Sequence, residues 1–235
     1  DFGRTWTEPM KQASLDRRIL PSGIHECPCD LTPMWHRATG TLLATGHTAI
    51  YAGAAETKGE LLKGNVERRH GVYAVFDPQA GCFQPWQKLV LPDAERFWWF
   101  GAGCTQRVDR PDGDILLPLY FMDREQLGDN LWKGCFSAAV ARCAFDGREL
   151  RYLEHGTELT VTDRRGFCEP SLTFFQGRYY LTLRNDVRAY VAVSDDGLHF
   201  PTPKPWTFDD GTELGSFNTQ QHWVTHSEGL YLSYT

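Results

Sequence analysis

The sequence predicts an all-β fold of the propeller kind. Three observations point there: four glycine turns that each separate two strand-like runs, further short strand runs between them, and scarce helical periodicity. The turns centre on Gly40, Gly113, Gly177 and Gly229, spaced 73, 64 and 52 residues apart, so the chain is a repeat. With 235 residues and 41% hydrophobic content it can bury a substantial core as one domain spanning 1–235.

The first hairpin is WHRATGTLLATGH around Gly40, followed by the strand run Gly71–Phe76. The second is VDRPDGDILLPLY around Gly113, followed by the run Phe136–Arg142. The third is LTFFQGRYYLTLR around Gly177, followed by Ala189–Val193, and the fourth is WVTHSEGLYLSYT around Gly229. In each, turn residues lie between two β-rich runs. A unit of about 50 to 70 residues with about four short strands is what a propeller blade requires. The chain therefore holds three blades and part of a fourth. Asp93–Phe100 is the best helical stretch, but it is short and strongly aromatic. Residues 52–69 and 122–134 read as polar insertions between blades, either shaping a pocket rim or serving as solvated connections.

Composition excludes several functions. A net charge of −6 argues against a nucleic-acid partner, which needs clustered Lys and Arg. The dense basic stretches, Arg17-Arg18, Arg68-Arg69 and Arg164-Arg165, read as solvated loops. No run of about 18 apolar residues exists to span a membrane. Seven cysteines are an odd number, and Cys27-Pro28-Cys29 matches no zinc spacing. Neither a metal, a cofactor nor a complete disulfide framework is expected. The chain opens in the back half of a turn motif and stops inside the second strand of its fourth hairpin, so it reads as a fragment cut at both ends.

Counting from the turns locates the chemistry. Seven residues past each glycine stand His47, Tyr120 and Arg184; eight before stand Thr32, Thr105, Glu169 and Gln221. The start of a hairpin's first strand and the end of its second lie at the same end, so Glu169 and Arg184 become neighbours and the functional groups gather on one face. Glu169 beside a guanidinium can act as a general base or orient one, and Arg184 can grip a sugar carboxylate through two hydrogen bonds; alternatively the two form a cross-strand ion pair. His47 can serve as acid or base and Tyr120 can donate to a substrate oxygen, or both are structural. Arg107 is a further anion contact or a peripheral ion pair. Asp186 after Arg184, and Gln221 and His222 before the last hairpin, suit the reading of sugar hydroxyls. Asp30 and His36 flank the first strand as additional candidates.

Ser194-Asp195-Asp196-Gly197-Leu198-His199-Phe200 fits the Asp-box, or BNR, pattern Ser-x-Asp-x-Gly-x-x-aromatic. Asp1–Trp6 is similar to the back half of another, and Asp77–Phe83 looks like a degenerate relative. The run Glu169–Arg184, with a strand-opening Glu, a glycine turn and an Arg seven residues later, resembles a hairpin of bacterial sialidases. The resemblance implies a sialidase-type β-propeller, six-bladed when complete, with about three to four blades here. In that family the Glu activates a tyrosine nucleophile and the Arg is one of three that clamp the substrate carboxylate. It thus implies a glycoside hydrolase releasing a terminal acidic sugar from a glycan, retaining by way of tyrosine, and an exported, secreted or periplasmic protein. The first and third arginines, the acid aspartate and the nucleophilic tyrosine are expected outside the fragment. Two other readings share the fold: a uronate-type polysaccharide lyase in which His47 or Tyr120 moves the proton, and a non-catalytic glycan-binding propeller.

Overall fold

Short antiparallel strands and almost no helix make up the computed structural model, which describes residues 3–53, 59–64, 66–127, 130, 133–215 and 220–234. Asp1 and Phe2 of the opening turn motif, Asn218 and Thr219 before the last hairpin, Thr235 and parts of both insertions lie outside the described residues. Among the described residues, no helix is long and apolar enough to cross a membrane.

The strands form four sheets in chain order. The first contains β1 (Arg18–Ile19), β2 (His25–His36), β3 (Thr41–Tyr51), β4 (Gly71–Asp77), β5 (Cys82–Phe83) and β6 (Gln87–Lys88). The second contains β7 (Trp99–Gly101), β8 (Val108–Asp109), β9 (Ile115–Met122), β10 (Ser137–Phe145) and β11 (Leu150–His155), with one helical turn, α1 (Arg124–Leu127), between β9 and β10. The third is β12 (Cys168–Phe175), β13 (Arg178–Arg184), β14 (Tyr190–Ser194) and β15 (Lys204–Pro205); the fourth is β16 (His222–His226) with β17 (Gly229–Ser233). Each of the four turns read from the sequence is a hairpin junction. Gly40, Gly113 and Gly177 take positive φ there, whereas Gly229 opens β17 and the turn itself is Ser227-Glu228. Asp93–Phe100 is not helical. The Asp93 carboxylate accepts the N–H groups of Glu95 and Arg96 in a turn, and the bulky Trp99 starts β7.

Strand β9 shows why the sheets stack. Its sequence ILLPLYFM is apolar throughout and every residue is buried, the pattern of a strand covered on both faces. Alternation sends Ile115, Leu117, Leu119 and Phe121 into one layer with Leu43 and Tyr73 of the first sheet and Phe100 of the neighbouring β7. Leu116 goes into the other layer, with Leu172, Leu181 and Leu183 of the third sheet. The second sheet is thus sandwiched between the first and third, each interface a layer of buried apolar side chains.

The outer ends of the sheets are closed by side-chain-capped turns. Ser194 Oγ accepts the N–H groups of Asp196 (3.2 Å) and Gly197 (3.1 Å), while Asp196 Oδ1 accepts those of Leu198 and His199 at 2.8 Å each. Gly197 takes φ +77°, and Leu198 and Phe200 tuck into the layer below. Asp77 caps Gln79 and Ala80 in the same manner at its own turn. These capped turns hold the strands whose opposite ends carry the polar groups.

Candidate active site

Two hairpins enter the site through the same backbone device. β2 carries a bulge between Cys29 and Thr32, with Asp30 at φ +53°; β12 carries one between Cys168 and Ser171, with Glu169 at φ +43°. Cys104, on the approach to β8, takes φ +55°. A non-glycine residue held there costs roughly 1–2 kcal/mol, strain that clusters at functional sites. Across from the bulges the register is firm: Cys29 faces His47, Cys168 faces Arg184, and Gly101 faces Tyr120. One end of three sheets therefore presents His47, Tyr120 and Arg184 together.

These groups surround a cavity of about 190 Å³ whose walls include Cys29, Asp30, His47, Trp99, Tyr120, Arg165 and Glu169. The Tyr120 hydroxyl lies 3.2 Å from His47 Nδ1, and His47 Nε2 faces Asp30 Oδ2 at 3.8 Å. Trp99 packs on both rings, at centroid distances of 5.6 Å to His47 and 5.3 Å to Tyr120. The backbone fits closely around the imidazole: a Cβ added at Gly103 would stand 2.1 Å from His47 Nδ1, and one at Gly101 2.7 Å from His47 Cβ. Burial pushes the His47 imidazole down to about 4, so it is neutral at neutral pH. Burial, then the nearby Glu169 carboxylate, holds the Tyr120 phenol well above its ordinary range, so it keeps its proton. A neutral imidazole hydrogen-bonded to a protonated phenol can exchange a proton with a bound molecule in either direction.

On the facing wall Arg184 Nη1 donates to Glu169 Oε2, with both side chains largely buried. Burial raises the Glu169 carboxyl, the Arg184 charge and hydrogen bond lower it, and the balance leaves it above its ordinary value. Arg165 also lines the cavity and is gripped from behind by Asp186, through a bidentate pair at 2.9 and 2.8 Å. That bond is the first cause of the lowered Asp186 carboxyl.

Glu169, His47 and Tyr120 line one cavity, and Arg184 adjoins it through Glu169. Asp186 stands behind Arg165. Arg107 does not line the cavity: its buried guanidinium pairs with Asp109 (3.5 Å), the ion-pair alternative, and donates to the carbonyls of Leu43 (2.9 Å) and Met34 (2.8 Å), tying the second sheet to the first. His36 is likewise structural, buried between Thr39 Oγ1 (2.8 Å) and the Gly113 carbonyl (3.0 Å). Gln221 is buried away from the cavity walls, and His222 lines a separate depression of about 380 Å³ that shares Asp30 with the site. Arg69 and Arg165, read from sequence as loop charges, both line the cavity; Arg69 is buried and donates to the carbonyls of Gly64 (3.3 Å) and Leu62. Sequence reading also missed Trp99 and Gly103. The Gly-Ala-Gly spacing just after an aromatic run was the available signal for a close backbone approach.

No protein-family profile matches the sequence, and no curated protein matches it either. Solved structures do. A Trypanosoma rangeli sialidase in complex with the inhibitor DANA aligns at TM-score 0.54 and 16% identity, covering 99% of this chain and 37% of that one. A mutant of that sialidase displaying trans-sialidase activity gives TM-score 0.56 at 15% identity, over 99% of this chain and 36% of that one. The Hadza microbial sialidase Hz136 gives 0.52 at 15% identity, over 88% and 38%. The chain spans a little over a third of the length of these sialidases. What it shares with them is the architecture: its fold is that of the sialidase-type β-propeller.

Proposed function

We propose that the cavity belongs to a glycan-cleaving enzyme, a sialidase-like glycoside hydrolase that releases a terminal acidic sugar. The observation that carries the reading is the buried Glu169–Arg184 pair at the wall of a cavity that also holds the Tyr120 hydroxyl, on a propeller whose structural neighbours are sialidases. In this reading the sugar carboxylate docks on Arg184 and Arg165, where planar guanidinium groups supply paired donors. Glu169, drawn from Arg184 as the substrate arrives, is the base that activates the attacking hydroxyl. Tyr120, held through its oxygen by His47, donates the proton that the departing glycosidic oxygen needs. The attacking hydroxyl, that of the nucleophilic tyrosine which the sialidase resemblance implies, bonds to the anomeric carbon as the bond from that carbon to the departing oxygen breaks, and water then displaces the tyrosine oxygen to complete the hydrolysis.

The test is a turnover screen of the full-length protein against sialosides and uronate-capped glycans, read by mass and ultraviolet absorbance. A freed acidic sugar with the mass of one added water supports hydrolysis. A second reading, a uronate lyase, is favoured by one specific observation: a neutral His47 beside a protonated Tyr120 is a ready base–acid couple. Ultraviolet-absorbing unsaturated products would establish that reading instead, and binding without turnover would leave a glycan-binding propeller.

A further inference from the structure

We infer that Cys29, Asp30 and His47 form a binding site for a divalent transition metal of the zinc type, with one coordination position open to the cavity. One ligand atom from each of the three residues lies within 4.8 Å of the others. A cysteine sulfur that gives up its proton on metal binding, an imidazole and a carboxylate form the mixed soft and borderline donor set that suits zinc or cobalt, whereas calcium and magnesium prefer oxygen alone. Three protein ligands plus an open position is the arrangement of metal sites that meet a substrate.

The backbone makes this convergence deliberate. Consecutive strand residues normally point to opposite faces, yet the bulge and the left-handed Asp30 bring Cys29 and Asp30 to one side, and His47 sits directly across the strand pair from Cys29. The donors therefore stand on paired strands. The imidazole is aimed as a ligand would be: Nδ1 is engaged by Tyr120 at 3.2 Å, while Nε2 looks toward Asp30 at 3.8 Å, too far for a hydrogen bond. Metal-bound histidines characteristically give their second ring nitrogen to such a partner. With Nε2 on a metal, Nδ1–H donates to the Tyr120 oxygen and leaves the Tyr120 O–H pointing elsewhere, which fits its assigned role as donor.

The third hairpin sharpens the case. There the acid at the matching bulge, Glu169, has its cation built in as Arg184. At the first hairpin, among the described residues, Asp30 faces the neutral His47 at 3.8 Å and has no lysine or arginine within ion-pair distance. Its side chain is 40% exposed, and it forms part of the wall of the neighbouring depression, which gives an ion a way in.

The inference rests on the donor set and not on the proposed reaction, and its test reads binding alone. Full-length protein stripped with a chelator is titrated with Co²⁺, followed by thiolate-to-cobalt charge-transfer absorption and the visible bands of four-coordinate cobalt, then competed with Zn²⁺. The expected result is one equivalent bound, a charge-transfer band lost in Cys29→Ser and kept in Cys27→Ser, and affinity lowered at least about tenfold in His47→Gln and Asp30→Asn. Thermal melts of each variant check that the fold survives. Absence of the band in the folded wild type, or its persistence in Cys29→Ser, would overturn the inference.

Discussion

The β2–β3 and β12–β13 hairpins run the same backbone program to different chemical ends. Each bulged strand places a cysteine and then an acid at positive φ, Cys29-Asp30 in one and Cys168-Glu169 in the other, and each sets one basic side chain opposite the cysteine. In the third sheet that side chain is Arg184, which closes on Glu169 as a buried ion pair. In the first it is His47, neutral, bonded to Tyr120 and standing off Asp30 at 3.8 Å. The difference teaches that the repeat fixes where the polar groups go, while one residue on the second strand decides whether the acid is sealed or left open as a ligand and proton partner.

Removing the closing charge has the largest expected effect. Arg184→Ala leaves Glu169 buried without its partner; we expect about 3 kcal/mol of lost stability by chemical denaturation, together with loss of affinity for acidic glycans. Normal affinity for every acidic glycan that the wild type cleaves would break the carboxylate-docking role. Gly103→Ala attacks the open side. The new methyl collides with His47 Nδ1, and because Gly101 crowds the ring's base the imidazole has little room to yield. Turnover should fall on the order of 100-fold, as expected for an ångström-scale displacement, and the overpacking should lower stability by about 1–3 kcal/mol.

The third prediction concerns pH. Because burial holds the folded Glu169 carboxyl above its ordinary value of 4.5, it stays protonated further up the pH scale, so the acid limb of kcat/KM should fall above pH 4.5 and vanish from that region in Glu169→Gln. A limb below that value would assign the base elsewhere. The smallest effect belongs to the outer turn, far from the comparison and therefore its control. Burial would raise the Asp196 carboxyl, but the N–H groups of His199 and Leu198, the His199 ring and the Ser194 hydroxyl hold it well below the usual range. Its contribution is present above the unfolded value of 3.8 and is lost as pH falls through the folded one. Asp196→Asn should cost about 1 kcal/mol near neutral pH, flatten that acid dependence and leave turnover unchanged.

The hairpins were legible because glycine turns between β-rich runs are local signals. Counting forward from the glycine reached His47, Tyr120 and Arg184, since the second strand of each hairpin continues at the regular strand period. Counting backward reached Glu169 but landed on Thr32 and Thr105 where the matching left-handed positions are Asp30 and Cys104. In the first hairpin the slip has a plain cause: its connection is Arg37–Gly40, two residues longer than Gln176-Gly177 of the third, so the matching position lies two residues further back. The structural roles of Arg107 and His36 were hidden for another reason. Their partners, the carbonyls of Met34, Leu43 and Gly113, belong to a neighbouring sheet, and no local pattern reveals a contact across a packed seam. The pairing of Arg165 with Asp186 was hidden in the same way, by a loop distant in sequence.

The measurement that tests the central claim most directly is product analysis of the full-length protein on sialosides, wild type against Glu169→Gln, with glycan affinity measured in parallel. The account predicts a freed acidic sugar carrying one added water for the wild type, and a Glu169→Gln variant that still binds but turns over at least about 100-fold more slowly. Wild-type turnover in Glu169→Gln, or binding by the wild type with no cleavage of any acidic glycan, would contradict it.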